Sequence, residues 1–231
     1  FKFLAKKSEA LSLVLFENLC IYSNTIASGS YNSLENTVKL TASAPLLEIF
    51  DKKITNLVVD SKNESNQLNL SLAAKNFMLT DSNSIKNVLI YASASNDSMK
   101  FKTQWVNNDL LNNKGKLSGY AAFEPNNKIA IHFAPSEIIV EDSLWTINSG
   151  NRVMIDKKAI LFSNFILSHQ KQTIKVVGLI TDNESDKLAI DLTDFNLELL
   201  NPLMRKNDVL LKGIVNGSMT VSGLYSNLLF S

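Results

Sequence analysis

The sequence predicts an all-β protein, and three observations carry that expectation. Short runs alternate apolar and polar side chains, the period of a strand with one dry face. Glycine and proline are sparse, 8 and 4 in 231 residues, so short turns built from Asn, Ser, Asp and Lys separate the runs in place of long loops. The runs recur at about eight to twelve residues, the spacing of all-β architectures.

The elements follow in chain order. After "FKFLAKK" and "FENLCIY", the stretch "LENTVKLTASAPLLEIFDKKI" is the least regular, and "APLLEIFDKK" after Pro45 is expected to form one or two helical turns. "SKNESNQ" (Ser61–Gln67) is a turn, and "QLNLSL" then puts Leu68, Leu70 and Leu72 on one parity. "FEPNNK" (Phe123–Lys128) is a second turn. "KIAIHF" presents Ile129, Ile131 and Phe133; "SEIIVED" presents Ile138 and Val140, with Ile139 on the other parity. "SLWTIN" carries Trp145 and Ile147, and "NRVMID" carries Val153 and Ile155.

"KAILFSNFILS" carries Ile160 and Phe162, then Phe165 and Leu167 after a phase shift at Ser163–Asn164. A shift of one residue inside a strand predicts a bulge or tight corner. "TIKVVGLI" carries Ile174, Val176 and Ile180 around Gly178, and a third turn, "TDNESDK" (Thr181–Lys187), leads into Leu188, Ile190 and Leu192. "LELLNPLMRKND" (Leu197–Asp208) is a second short helix, with Pro202 near its first turn. Asn66–Leu79 echoes Asp186–Leu199, a turn followed by alternating Leu or Ile and an F-x-L step, which hints at stacked similar units.

Composition limits the function. Hydrophobic residues make up 45% and charged residues 19% of the chain, and 23 basic against 22 acidic side chains leave a net charge of +1. No basic stripe exists to attract nucleic acid. The single cysteine, Cys20, sits among apolar neighbours and is expected as a small buried hydrophobe. His132 and His169 lie far apart with no partner at metal-ligand spacing, and the acidic turns lack the spacing of a calcium loop. No nucleophile elbow, phosphate loop or dinucleotide fingerprint is present. The chain is therefore expected to be no enzyme, with no catalytic residue, metal or cofactor. The apolar parity of the strands is the larger signal. Alternation alone fits two arrangements: a core closed between two sheets, or an open groove able to hold acyl chains.

From Gly119 onward the order of features becomes more specific. "FAPS" with a strand after it is followed by "DSLWTI" around Trp145, and then by "ILFSNFILSHQKQ" with Phe165, His169 and Gln170. "IKVVGLIT" with Gly178, "LAIDLTDFNL", and "LLKGIVNG" with Gly213 and Gly217 complete the series. In that order these features resemble the TamB family as found in Bacteroidetes. Its members are AsmA-like envelope proteins, relatives of the bridge-like lipid-transfer proteins. The residues before Gly119 carry the resemblance less specifically. Residues 1–118 are accordingly expected as a β-rich section and 119–231 as the TamB-like section, the two forming one continuous structural unit cut from a longer chain.

The resemblance implies an elongated β-taco, a long sheet folded lengthwise into a groove with an apolar interior. It implies a periplasmic location in a Gram-negative envelope. The parent chain would be anchored in the inner membrane outside this section and would meet a BamA-like barrel in the outer membrane. The implied role is phospholipid transport between the two membranes; the alternative is a scaffold that assists the barrel in outer-membrane protein assembly. The groove lining would be Ile129, Ile131, Phe133, Ile138, Val140, Ile147, Val153, Ile155, Ile160, Phe162, Ile174, Val176, Leu188, Ile190 and Leu192, touching phospholipid acyl chains. Trp145 is expected at a groove end or corner, Gly178, Gly213 and Gly217 at bends or close strand approaches, and His169 at a turn or on the outer face.

Overall fold

The computed structural model describes residues 1–6, 8–9, 12, 14, 18–50, 52–64, 66–78, 84–108, 112–201, 210–223 and 229–230. Among them the chain is nearly all β, with antiparallel strands, two single turns of 3-10 helix, Pro125–Asn127 and Leu197–Leu200, and helical backbone at Glu9, Ser12, Val14 and Asn201. No helix of the described residues is long and apolar enough to cross a membrane. The chain divides into two compact units: Phe1–Asp109 with Lys114–Lys116, and Leu110–Asn113 with Leu117–Ser231.

Unit 1 is a meander. Its strands are β1 (Lys2–Ala5), β2 (Leu19–Ile21), β3 (Thr25–Asn32), β4 (Thr37–Ile49), β5 (Lys52–Glu64), β6 (Gln67–Met78), β7 (Ser84–Ser95) and β8 (Ser98–Asn108). From β3 to β8 each strand pairs antiparallel with the next. The ladder between β5 and β6 runs out to Glu64 opposite Gln67, so the turn expected over Ser61–Gln67 is shorter and Ser61 is a buried strand residue.

The helical turns expected after Pro45 are not formed. Leu46, Leu47, Glu48 and Ile49 pair with Thr55, Ile54, Lys53 and Lys52. The reason lies across the strand. Pro45 has no N–H for the ladder, and Asn56 on β5 adopts a left-handed φ of 49°. An irregularity there accommodates a proline inside a strand, and the flanking Leu and Ile side chains gain cross-strand partners that a lone helical turn would lack.

Unit 2 is also a meander, of mostly shorter and interrupted strands. β9 (Asn112–Glu124) leads to β10 (Lys128–Phe133) and β11 (Ser136–Val140), then β12 (Ser143–Ile147) and β13 (Arg152–Asp156). β14 (Ala159–His169), β15 (Gln172–Ile180), β16 (Leu188–Asn196), β17 (Ile214–Ser222) and β18 (Leu229–Phe230) complete it. β10 pairs β13 while β11 pairs β12, and β14 pairs both β13 and β12. The two short pairs thus act as two long strands broken at Ala134–Pro135 and at Asn148–Asn151. The phase shift expected at Ser163–Asn164 is a bulge between Phe162 and Phe165, with Asn164 at φ 50°. A second bulge lies between Leu192 and Phe195, with Asp194 at φ 47°. The helix expected over Leu197–Asp208 begins as the 3-10 turn Leu197–Leu200, capped by the Asn196 side chain accepting from the Glu198 N–H at 3.0 Å. Residues 202–209, Pro202 included, lie outside the described residues.

Little of either unit is sealed from water. Two separate compact bodies, each of half the 25.6 kDa mass, would together expose about 12,600 Å²; the chain exposes 14727 Å². Most strand residues are half-buried. Unit 1 has a small buried cluster, Ala44, Ile54, Leu57 and Ala74, with Leu47, Val59, Leu72 and Phe77 among the half-buried side chains packed on it. Cys20 is buried, as its apolar neighbours predicted.

Candidate functional site: an apolar sheet face

Residues that pair across antiparallel strands project to the same side of the sheet. The register of unit 2 can therefore be followed from strand to strand. Ile129 and Ile131 pair with Ile155 and Val153, which pair in turn with Ile160 and Phe162. Ile160 and Phe162 pair with Ile180 and Gly178 on β15. Along that strand Val176 and Ile174 share their parity and pair with Ile190 and Leu192. Phe133 follows Ile131 by two residues, and Leu188 pairs with Gly178.

The β11–β12 pair joins the same face through Ile147, which registers with Leu167. Ile138 pairs with Trp145 and Val140 with Ser143 on that parity. All fifteen residues named from the sequence thus lie on one side of unit 2.

Both bulges are needed for this. Phe165 and Leu167 differ in parity from Ile160 and Phe162, and Phe195 differs from Leu192. The extra residue at Asn164 and at Asp194 turns each run back to the apolar side.

Charge separates the two faces completely along these strands. Lys128, Glu137, Arg152, Asp156, Lys175 and Asp191 all fall on the opposite parity. There they pair with one another: Lys128 with Asp156 at 3.2 Å and Arg152 with Glu124 at 2.9 Å, while the Ser218 hydroxyl donates to Asp191 at 2.6 Å. Such exposed pairs add little stability. What they do is place every ionic group of these strands away from the apolar side.

The apolar side is only partly covered. Of the fifteen residues, Ile147 and Val153 are buried and the other thirteen are half-buried. Aromatic rings run across it: Phe162 meets Phe165 edge-on at 6.1 Å, and Phe165 meets Phe133 at 5.9 Å. Trp145, 5% exposed, lies between His169 at 5.5 Å and Phe195 at 6.2 Å. It closes the end of the face beside the β14–β15 turn. His169 does stand next to that turn, but on the apolar side and not the outer one. Its ring tilts over Trp145 while Nδ1 lies 2.7 Å from the Leu144 carbonyl. The indole surface accounts for the placement, since it shelters the imidazole while its polar atom reaches backbone.

A hydrogen-bonded seam holds the strand breaks open without loss. Asn151, 1% exposed, accepts from the Phe133 N–H at 2.8 Å and donates to the Phe133 carbonyl at 2.9 Å and to the Asn148 carbonyl. Asn148 in turn accepts from the Ile166 N–H at 3.0 Å. These amides replace the ladder bonds that Pro135 and the 148–151 break remove. Gly178, at φ 121°, has a close approach that only glycine permits: a Cβ there would collide with the Lys187 carbonyl. Gly213 and Gly217 have open space where a Cβ would be.

The same pattern was missed in unit 1 beyond Leu68, Leu70 and Leu72. Register puts those three with Ala94, Ala92 and Ile90, and with Met99, Phe101 and Thr103 on β8. Across β5 the side continues through Val59 and Leu57 to Ala42 and Ala44. The signal was in the sequence as alternation in β4 and β7, hidden by small residues and by parity shifts near Asn56 and Asn87.

Among the described residues no group of three His, Cys, Asp or Glu side chains is placed to hold a metal ion. No family model matches the chain. No curated protein matches it, and no solved structure does.

Proposed function

We propose that this chain is a section of a periplasm-spanning bridge, similar to TamB, that carries phospholipid between inner and outer membranes along an apolar sheet face. One observation carries the proposal: in unit 2 a many-stranded face is free of charge, lined by aliphatic and aromatic side chains, and left half-exposed. A protein that needed this face only as a core would cover it. Each acyl CH₂ withdrawn from water is worth about 0.8 kcal/mol, so a lipid tail laid on the face gains through many similar small contacts. Similar contacts from strand to strand leave no deep trap, and the tail can shift along them. The head group needs water, which the open side supplies. No covalent step is involved.

Native mass spectrometry with lipid extraction on the purified chain tests this. Phospholipid should co-purify, and Ile131→Asp should remove it while the protein stays folded. A stably folded chain that carries no lipid, with or without the substitution, would overturn the proposal. It would put a scaffold role beside a BamA-like barrel in first place.

A further inference from the structure

We propose that a second copy of this chain pairs edge to edge with β17, around a two-fold axis at Gly217. The inference rests on strand pairing and does not depend on lipid. Among the described residues, β17 pairs along one edge with β16 and meets β18 on the other edge only at Val221 and Ser222. No described strand covers the outer edge of Ile214–Met219. Ile214 is 69% exposed, and Asn216, Gly217, Ser218 and Met219 are exposed as well. Natural edge strands are guarded by charged side chains, prolines or bulges. β17 has no charged residue and no proline. The bulge in its ladder adds the extra residue to β16 and leaves β17 itself regular.

The hydrogen-bonding phase of the open edge follows from the inner one. The Leu197 N–H donates to the Gly213 carbonyl at 2.9 Å. Backbone groups alternate between the two edges of a strand, so Gly213, Val215, Gly217 and Met219 address the β16 side. Ile214, Asn216 and Ser218 turn their N–H and C=O groups outward.

An antiparallel copy of the same strand satisfies that edge symmetrically. Opposite residues share a side of the sheet, so only a register of like parity keeps the two apolar sides together. On β17 that side carries Val215, Gly217 and Met219, which register with Phe195, Leu192 and Ile190. An axis at Gly217 sets Val215 against the second copy's Met219, an apolar pair. It sets Asn216 against the second copy's Ser218, and these exchange their outward N–H···O=C bonds. Symmetry repeats both pairs. Gly217 faces its own copy as a non-hydrogen-bonded pair, where strands approach most closely, about 4.5 Å between Cα atoms. Open space lies where its Cβ would be, so no side chain holds the backbones apart. The overlap, Val215–Met219, stops short of Val221, where β18 occupies the edge. With no charge on either strand, no like-charge contact opposes the pairing. Any extended strand would gain the backbone bonds; the symmetric match of side chains is what selects a second copy. The overlap is small, so the dimer is a weak one that forms as concentration rises.

Sedimentation velocity of the purified chain, from the micromolar to the millimolar range, should show a reversible monomer–dimer equilibrium. Ser218→Pro removes an outward N–H from each copy and leaves the ladder to β16 in place. It should weaken dimerisation about tenfold or more. The register is tested in a Cys20→Ala background. Gly217→Cys should form an intermolecular disulfide under mild oxidation, since its Cα spacing falls within the ~4.4–6.8 Å that a disulfide spans. Ser218→Cys should not, because the axis sets it diagonal to its own copy. A chain that stays monomeric overturns the proposal and leaves the edge to a strand from another protein. A dimer that persists undiminished in Ser218→Pro overturns it too, as does a Gly217→Cys form that cross-links no better than Ser218→Cys. If Ser218→Pro lowers the melting temperature, the two cysteine variants decide, because neither removes a ladder bond.

Discussion

Asparagine does two jobs at the scale of single residues. It fills left-handed positions at turns and bulges, among them Asn24, Asn36, Asn66, Asn96, Asn126 and Asn164, where its short polar side chain makes the conformation tolerable. It also stands in for missing ladder bonds, most completely at Asn151. Replacing Asn151 with Ala leaves the Phe133 N–H and carbonyl unpaired at a buried break. The cost should be about 3 kcal/mol, seen as a fall in melting temperature of about ten degrees or more. A melt within two or three degrees of the parent, as for an ordinary surface substitution of about 0.5 kcal/mol or less, would show that water replaces the amide. Glu9 makes a different kind of bond. Its own backbone N–H, followed by the Ser23 hydroxyl and N–H, holds its carboxyl below the usual carboxylate range. The Ser23 donors lie at 2.8 and 3.0 Å. Because the folded pKa is lowered, this contact stabilises unit 1 above the unfolded pKa of Glu and is lost as pH falls through the folded value. The Ser23 amide resonance should titrate in that acidic window, and Glu9→Gln should abolish the transition.

Individual strands divide their side chains between two environments, and neighbours in sequence should respond oppositely to charge. Phe162 is half-buried on the apolar side, whereas Leu161 is 40% exposed on the outer side. Phe162→Asp should abolish lipid co-purification; Leu161→Asp should leave it intact and cost under about 1 kcal/mol. Equal effects from the two would mean that the strand's two faces are not distinguished by lipid. The β14 bulge is what keeps this division in force along the whole strand. Without the extra residue at Asn164, Phe165 and Leu167 would turn outward and Ile166 inward. β4 shows the complementary lesson, since Pro45 is accommodated in a strand by the irregularity opposite it.

At the scale of the whole molecule, each unit has one side rich in aliphatic side chains and one side that carries its charges. Unit 1 repeats the arrangement of unit 2, although its apolar alternation is harder to see in the sequence. If both sides hold acyl chains, Leu72→Asp in unit 1 and Ile131→Asp in unit 2 should each reduce the number of lipids bound per chain, and the double variant should bind none. Full lipid occupancy in Leu72→Asp would confine lipid to unit 2. The partial cover of both sides also predicts that the folded, delipidated chain binds an apolar dye strongly, since large exposed apolar patches do so in few soluble monomers.

The sequence by itself determined the all-β class and the parity of the strands from Ile129 to Leu192, because a period of two is written into the order of residues and needs no partner. Turns such as Phe123–Lys128 and Thr181–Lys187 were legible for the same reason: their residues favour tight backbone on their own. The placement of fifteen side chains on one face was legible strand by strand, from Ile129 to Leu192. What only the tertiary structure decided was how those parities combine. Whether Ile147 shares a side with Phe162 depends on the Ile147–Leu167 register, a contact between distant segments. Whether Leu46–Ile49 coils or extends depends on Thr55–Lys52 lying opposite. The seating of His169 on Trp145 and the seam through Asn151 arise from strands brought side by side. Local pattern specifies which residues turn their backs to water; cross-strand pairing specifies which of them meet.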